Sequence, residues 1–334
     1  MRRKEDLEAI SAATRRGNHP LLRCYSGTND LTMWADMLKE TINIAWGAVP
    51  LCWYSVLDGR SEKNLREAIR EKQKAMRRYT ELGVPVEVNE SHQWSLRDAH
   101  DALAVATAYL SAYNAKQMGV KDFILQMMFN NPPSTAPHMD LAKMLAKLEM
   151  VTSLEDGRFR VLREVRAGIA SLPSDPDLAK GHMAASAVYS MMVRPHILHV
   201  VGYSEGYRAV TPDVLIESCR IARGAVNLAL KGSFSPVLDK TVEKRKKHLM
   251  SEAVVILDAI MELGAGGRDP LSDPEALARA IEVGILDTPH FKGLKNLKGE
   301  VVTACIDGGW DAVCPATGKV LSEKQRLKKL GIAS

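Results

Sequence analysis

The chain alternates short apolar runs with longer helical patterns, and this alternation is the feature that most constrains its fold. Six runs are apolar along most of their length, which is typical of strands buried on both faces. They are LLRCY (21–25), INIAWGAV (42–49), VPVEVN (84–89), DFILQMM (122–128), RFRVLREV (158–165) and HILHVVG (196–202). Strands separated by helices predict an α/β fold with a parallel sheet and right-handed crossovers.

The segments between these runs carry recognisable helix ends. Ser61 and Ser95 predict the starts of helices that end near Gly83 and Gly119, and Thr211-Pro212 predicts the start of another. A doubly wound sheet and a (β/α)8 barrel both fit this order of elements. No Gly-x-Gly-x-x-Gly sequence follows a candidate strand, which favours the barrel.

The overall composition excludes several classes of protein. A net charge of +5 arises from 45 basic and 40 acidic residues that are scattered along the chain, so nucleic acid is not an expected partner. The five cysteines form no Cys-x-x-Cys pair, which predicts no zinc site and a reduced, cytoplasmic protein. The first residues lack the apolar core of a leader, and no run approaches about 18 apolar residues, so no membrane contact is expected.

The pattern changes near residue 235. Residues 1–235 carry the strand and helix alternation and are predicted to form the barrel domain. Residues 236–334 contain a long helical pattern, a short capped helix and a Gly-rich stretch, and they predict a helical C-terminal extension packed on the barrel. About six βα units are visible, so the barrel would be incomplete.

Aromatic, amide and charged side chains follow the candidate strands. In a barrel the residues just past the carboxyl ends of the strands form the active site, and this mixture suits a broad, partly apolar cavity. No nucleophilic triad or metal cluster emerges, and such a site often depends on a cofactor for difficult chemistry. Trp46 could equally fill the barrel top, and His92 could equally be a loop residue. His196 and His199 lie on opposite faces of one strand, which favours core roles over a shared metal ion.

The order of the strand-end stretches resembles that of the large (epsilon, or E) subunit of the glutamate mutase, or methylaspartate mutase, family. The matching stretches are LLRCYSGTND, AWGAVP, VEVNES, ILHVVGYSEG, MSEAVVILDAIMELG and EVGILDTPHF. The resemblance implies a TIM-type barrel that works with adenosylcobalamin in a radical carbon-skeleton isomerase. It also implies a separate small Rossmann-like subunit that carries the corrin through an Asp-x-His-x-x-Gly motif. DAHDAL (98–103) has leucine in place of that glycine, so the cobalamin would be carried by a partner.

The chain departs from the family at several positions. The family's Arg-His-Gly-Thr motif matches residues 25–28 here, so Tyr25 stands in place of an arginine that holds a substrate carboxylate. The family's catalytic glutamate aligns with Trp46. A tyrosine hydroxyl cannot form a bidentate ion pair, so the substrate is expected to differ from glutamate. Six strands cannot close an eight-stranded barrel, so a chain that supplies the missing first strands, or a homodimer, is an expected partner.

The resemblance and the strand-end positions together assign candidate roles. The catalytic candidates are Glu90 and Glu205, and no metal ligand is assigned. The substrate-binding candidates are Arg23, Tyr25, Asn130 and Arg166. The candidates for the cavity wall or for facing the cofactor are Ser26, Trp46, Trp53, His92, Trp94 and Tyr203.

Two other functions stay open. A non-catalytic scaffold or regulatory homologue of the mutase subunit would explain the replaced arginine and glutamate. A barrel lyase or aldolase that works without cobalamin ranks last, because no strand-end lysine is placed to form a Schiff base.

Overall fold

A computed structural model of the chain describes residues 3–25, 27, 29–231, 240–264 and 266–332. Its centre is one parallel sheet of five strands in the order β1-β2-β3-β4-β5. The strands are β1 (Gly47–Val49), β2 (Val86–Val88), β3 (Asp122–Phe129), β4 (Arg160–Ala167) and β5 (Ile197–Leu198). The predicted α/β class is therefore confirmed. The sheet is open, since in the described residues β1 and β5 pair with no further strand, and the predicted barrel is not seen as a closed barrel.

Eleven α-helices in the described part of the chain accompany this sheet, together with one antiparallel hairpin. The helices are α1 (Lys4–Thr14), α2 (Leu31–Ile42), α3 (Leu65–Glu81), α4 (Ser91–Ser95), α5 (Asp101–Gln117), α6 (Pro137–Thr152), α7 (Pro176–Ser190), α8 (Pro212–Lys231), α9 (Lys240–Met261), α10 (Pro274–Glu282) and α11 (Glu323–Lys329). The hairpin joins β6 (Val302–Ile306) to β7 (Gly309–Val313). None of these helices combines the length and the apolar character that crossing a bilayer requires.

The two faces of the sheet differ in polarity because successive strand residues point to opposite sides. One face places Val88, Leu125 and Val165 in the main apolar core, against which helices such as α5 and α6 pack. The other face, which we call the inner face, carries a row of polar side chains. It is formed by Glu87, Asn89, Gln126, Glu164 and Arg166.

Several predicted element boundaries are corrected by the structure. LLRCY (21–25) is not a strand; its contact with the sheet region includes one backbone bond, from Ala45 N to the Leu22 carbonyl (2.7 Å). INIAWGAV and HILHVVG contribute only the three residues of β1 and the two of β5. Ser95 ends α4 instead of capping α5, and Asn64, not Ser61, caps α3 by accepting from Glu67 N (3.0 Å). The predicted start of α8 at Pro212 is confirmed.

The C-terminal helices share the main core with the sheet layer. Helix α9 packs on α5 and α6, and α10 packs on α3. Arg245 of α9 binds Asp101 at the start of α5 (3.0 Å) and Asp311 of β7 (2.8 Å), so one guanidinium links three elements. The predicted boundary between residues 235 and 236 lies outside the described residues, and the division into two domains stays a prediction.

Candidate functional site

Glu87 is the centre of the polar cluster on the inner face. Its side chain is fully buried, and four donors surround its carboxylate. Arg23 Nη2 (2.6 Å) and Trp46 Nε1 (2.8 Å) donate to Oε2, while Gln126 Nε2 (2.6 Å) and Asn89 Nδ2 donate to Oε1. Donors from the segment before β1 and from β2 and β3 thus converge on one carboxylate.

A second buried carboxylate, Glu164 of β4, lies beside this centre. Glu164 pairs in register with Gln126, whose Nε2 is 3.5 Å from Glu164 Oε1. The same oxygen lies 3.0 Å from His199 Nδ1, just past β5. His199 is partly exposed, whereas Glu164 is fully buried. A continuous polar chain therefore runs from Arg23 through Glu87, Gln126 and Glu164 to His199.

Burial controls the ionisation of Glu87. Removal of the carboxylate from water raises the pKa of Glu87 to about 7; the nearby Glu164 carboxylate adds to this rise, and Arg23 opposes it. Because the folded-state pKa lies above the unfolded-state value, this group favours folding most below about pH 4.5. That contribution is lost as the pH rises through about 7.

Trp46 should report this ionisation, because its indole N–H donates to Glu87. We expect the tryptophan fluorescence of the folded chain to change with a midpoint near pH 7. Glu87→Gln and Trp46→Phe should each abolish this transition, as followed by a steady-state fluorescence titration. A midpoint near pH 4.3, the value of an unperturbed glutamate, would contradict the assigned environment.

Three acceptor oxygens of the cluster are buried and have no hydrogen-bond partner among the described residues. They are Asn89 Oδ1, Gln126 Oε1 and Glu164 Oε2. Leaving a buried acceptor unpaired costs about 1–3 kcal/mol. Such a concentration of unpaired acceptors is unusual for a purely structural cluster, because native interiors normally pair their polar groups.

The inner face is covered by side chains from the N-terminal segment and from the loop before β1. The Arg23 guanidinium carbon lies 4.8 Å from the Tyr25 ring centroid and 5.9 Å from that of Trp46. The Tyr25 ring is in turn 5.9 Å from Tyr54. Arg23, predicted to meet a substrate anion, is thus already paired with Glu87 and held between two aromatic rings.

Glu90, a predicted catalytic residue, has protein donors on both carboxylate oxygens. Its Oε2 accepts from Leu51 N (2.7 Å) and Cys52 N (3.0 Å), and its Oε1 accepts from Trp94 Nε1 (2.8 Å). The side chain is buried. These contacts fix the loop after β1 against α4, and the catalytic role stays a prediction.

Trp53 and Trp94 lie in the core, contrary to their expected position on a cavity wall. Their rings meet edge to face at 5.0 Å, and both pack against Phe291, with ring centroids 5.7 Å away. Neither residue is exposed to solvent. The guanidinium of Arg97 covers Trp53 at 3.9 Å. These aromatic rings join the loops of the sheet to the C-terminal segment.

The remaining predicted wall residues are dispersed. His92 is buried, and burial first, then the nearby Arg166, lowers its pKa well below the usual value, so it is neutral. Tyr203 is buried, and its hydroxyl donates to Glu217 of α8 (2.9 Å). Ser26 lies outside the described residues.

The rim at the carboxyl ends of β3, β4 and β5 holds the other candidates. Asn130 accepts from Ser186 Oγ (2.5 Å), and its backbone N–H donates to Asp140 (2.5 Å). Arg166 is partly buried, which lowers its pKa, and among the described residues it has no carboxylate within 4 Å. Glu205 is exposed and accepts from Gly202 N (2.6 Å).

The structure therefore brings Arg23, Tyr25, Trp46 and Arg166 to the inner face and places most other candidates elsewhere. Sequence reasoning missed Glu87 and Glu164 as site residues and assigned His199 to the core. A usable signal was present, since each of the runs VPVEVN and RFRVLREV carries a buried-strand glutamate that an ordinary core would exclude.

A family model described as the methylaspartate mutase E chain (MutE) matches residues 58–312. The matched range covers about three quarters of the chain and includes β2 to β5, the hairpin strand β6, all but the last residue of β7, and Glu87 and Glu164. It begins after Arg23 and Trp46, the two residues that cover Glu87. No curated protein matches the chain.

Proposed function

The chain belongs to the methylaspartate mutase E chain family, and from this membership we propose that it is the substrate-binding component of an adenosylcobalamin-dependent carbon-skeleton isomerase whose substrate is not glutamate. The family match supports a mutase-related subunit. The dependence on adenosylcobalamin and the changed substrate are our proposal.

The polar cluster on the inner face carries the proposal of a changed substrate. Arg23 is the arginine nearest to the position where the resemblance expects a carboxylate clamp, and Glu87 neutralises it at 2.6 Å. Tyr25 offers no charge at the clamp position itself. A dicarboxylate would therefore meet the buried acidic groups Glu87 and Glu164, and of the two inner-face arginines only Arg166 has no carboxylate partner among the described residues.

The residues at the carboxyl rim fit contact with the adenosyl group better than with cobalt. Glu205 presents an exposed carboxylate beside Arg166, and a carboxylate is a suitable acceptor for ribose hydroxyls. His100, the histidine of the rejected DAHDAL motif, lies 2.8 Å from Glu323 in the interior and is not available as a cobalt ligand. A separate Rossmann-like chain would hold the corrin, and when bound the cofactor supplies a carbon-centred radical by homolysis of its cobalt–carbon bond.

The chain's own residues would bind the substrate, exclude water and keep the reacting groups in place. Glu164 Oε1 and His199 Nδ1, 3.0 Å apart, form a polar contact at the partly exposed end of the polar chain. Gln126 fixes the distance between the two carboxylates through its contacts with both. These residues would position the substrate, and none of them needs to act as a nucleophile.

The open edges of the sheet favour assembly with another chain. An unpaired strand edge is a surface that proteins normally cover. Helices α7 and α8, which follow β4 and β5, expose Leu178, Leu215, Ile216 and Leu228. We propose that a chain supplying further βα units, or a second copy, covers this side.

The test mixes the full chain with each protein encoded beside its gene, adenosylcobalamin and candidate substrates. We expect cob(II)alamin to appear on substrate addition, as detected by absorbance and electron paramagnetic resonance. Arg166→Lys, which keeps the charge and loses the planar fork, should weaken the signal, whereas the exposed Arg77→Lys should not change it. Absence of cob(II)alamin with every corrin-binding neighbour would contradict the proposal.

A non-catalytic scaffold is the second candidate, and one observation favours it. The unpaired acceptors of the inner face are buried from solvent. Arg23 and Trp46 of the same chain cover this face, as expected for a site that no longer admits a substrate. A stable complex with the corrin-binding neighbour that forms no cob(II)alamin with any substrate would support the scaffold.

A further inference from the structure

An apolar groove lies between helices α7 and α8. Asn130, just past β3, and Pro137, at the start of α6, also line it, and its volume is about 770 Å³. No residue of the inner face lines this groove. Small-molecule sites in proteins usually have volumes of about 300–1,000 Å³, so the groove is large enough for a ligand of ordinary size.

Short side chains on both helices leave the groove open. Ala185 and Ser186 line it from α7, and Gly224 and Ala225 line it from α8. A Cβ atom built on Gly224 would meet no atom within 4 Å, so the space over this glycine is empty. Longer side chains at these positions would fill the gap, as they usually do between packed helices.

The described walls of the groove carry no charge. None of the described residues that line it is an aspartate, a glutamate, a lysine or an arginine. Burial lowers the pKa of His182 and raises the pKa of Tyr189, so both of these wall residues are neutral at pH 7. A charged ligand would lose its hydration here without gaining an ionic partner, which is unfavourable.

Two wall residues also carry buried polar atoms without partners. His182 Nε2 and Tyr189 Oη have no hydrogen-bond partner among the described residues. The two residues are seven positions apart on α7, so they lie on the same side of the helix and two turns apart. A ligand N–H or O–H group can pair with His182 when its ring turns toward the groove, and a pure hydrocarbon would leave both atoms unpaired.

We propose that the groove between α7 and α8 binds a small, uncharged and mainly apolar molecule that carries one hydrogen-bonding group. The apolar walls favour burial of an apolar surface, and the lack of charged walls selects against ions. The site is separate from the inner face, so it does not depend on the isomerase proposed above.

A protein partner fits this groove less well than a small molecule does. About a dozen described residues line the groove, whereas a stable protein interface uses roughly 20–30 residues on each side. Leu178, Leu215 and Ile216, which the partner chain proposed above would cover, do not line the groove. The groove and that surface are therefore treated as separate sites.

Two matched fluorescent probes test the class of ligand with the full chain and without any cofactor. Phenylnaphthylamine is uncharged, mainly apolar and has one N–H group, and anilinonaphthalene sulfonate has the same rings with a sulfonate added. We expect phenylnaphthylamine to bind about 10-fold or more tightly, as measured by the rise in probe fluorescence on titration, because the sulfonate would enter the groove without a cationic partner. No binding of phenylnaphthylamine, or equal or tighter binding of the sulfonate in the groove, would overturn the proposal.

Two glycine variants locate the binding. Gly224→Leu fills the empty space over α8 and should weaken phenylnaphthylamine binding by about 10-fold or more. Gly181→Leu is the matched control and should leave binding unchanged, because Gly181 of α7 also has open space at its Cβ position but does not line the groove. Both variants replace a helical glycine by a good helix former, so both are expected to fold.

The difference between the two variants decides the location. Binding in the groove is the part of the signal that Gly224→Leu removes and Gly181→Leu retains, and the two probes are compared on that part. Equal affinity of the two variants for phenylnaphthylamine would overturn the proposal.

Sedimentation of the wild-type chain and of Gly224→Leu tests the alternative occupant, a second copy. A dimer that Gly224→Leu dissociates, together with no probe binding to the wild type, would overturn the proposal in favour of an interface between copies. Probe binding without cob(II)alamin formation would keep the groove site and reject the isomerase. Cob(II)alamin formation without probe binding would keep the isomerase and reject the groove site.

Discussion

Lys143→Met should lower the free energy of unfolding by about 3–5 kcal/mol, because it leaves the buried Asp140 without its basic partner and leaves Asp101 with Arg245 alone. Lys143 is fully buried on α6, and its Nζ lies 3.2 Å from Asp101 and 3.3 Å from Asp140. It also donates to the Asn131 carbonyl (2.7 Å). Urea denaturation followed by circular dichroism measures the loss.

The matched control for this variant is Lys74→Met, which removes a lysine from the exposed side of α3. Its effect should stay within about 0.5 kcal/mol, as for most surface substitutions. A loss for Lys143→Met as small as that of the control would show that Arg245 alone neutralises Asp101 and that Asp140 is protonated.

Glu323→Gln should lower the stability of the protein at neutral pH by about 3 kcal/mol and flatten its dependence on acid pH. Glu323 is buried at the start of α11, 2.8 Å from His100 Nε2 and 2.7 Å from Arg326 Nη2. Burial alone would raise its pKa, but His100 and Arg326 together lower it to about 2. Its contribution is therefore complete above the unfolded-state value near 4.5 and is lost as the pH falls towards 2.

Unfolding free energies measured at about pH 7 and at about pH 3 check this prediction. The wild-type chain should lose stability between these values, and Glu323→Gln should lose less. The exposed Glu62→Gln serves as the control and should follow the wild type. Parallel curves for Glu323→Gln and the wild type would contradict the buried ion pair.

The strands of the sheet could be predicted where burial on both faces made the run apolar and long. Strands β3 and β4 match DFILQMM and RFRVLREV closely. LLRCY also contains apolar residues, yet it is not a strand. Arg23 in its middle binds Glu87, and the segment lies across the inner face. An apolar run cannot distinguish a paired strand from an extended segment that packs on a sheet.

The C-terminal hairpin shows a signal that the prediction overlooked. Asp307 and Gly308 both have positive φ values, 50° and 82°, and connect β6 to β7. Asp-Gly between apolar runs is a strong indicator of such a two-residue turn. The Gly-rich stretch was instead predicted as part of a helical extension.

The candidate site was only partly accessible from sequence. The prediction reached Arg23, Tyr25, Trp46 and Arg166 through their positions near strand ends. It could not reach the role of Glu87, because that role depends on donors from three separate segments that only the fold brings together. Partner choice among buried polar groups is a tertiary property, which one strand's residue pattern does not contain.

Arg245 affects how well the protein tolerates a C-terminal truncation before α9. Its guanidinium, on a helix beyond residue 239, neutralises a buried aspartate at the start of α5. Shortening the protein before this helix would leave Lys143 as the remaining basic partner of this buried acid and would expose the sides of α5 and α6 on which α9 packs. The sheet layer and the C-terminal helices therefore stabilise each other. A truncated chain would not keep the stability of the corresponding part of the full protein.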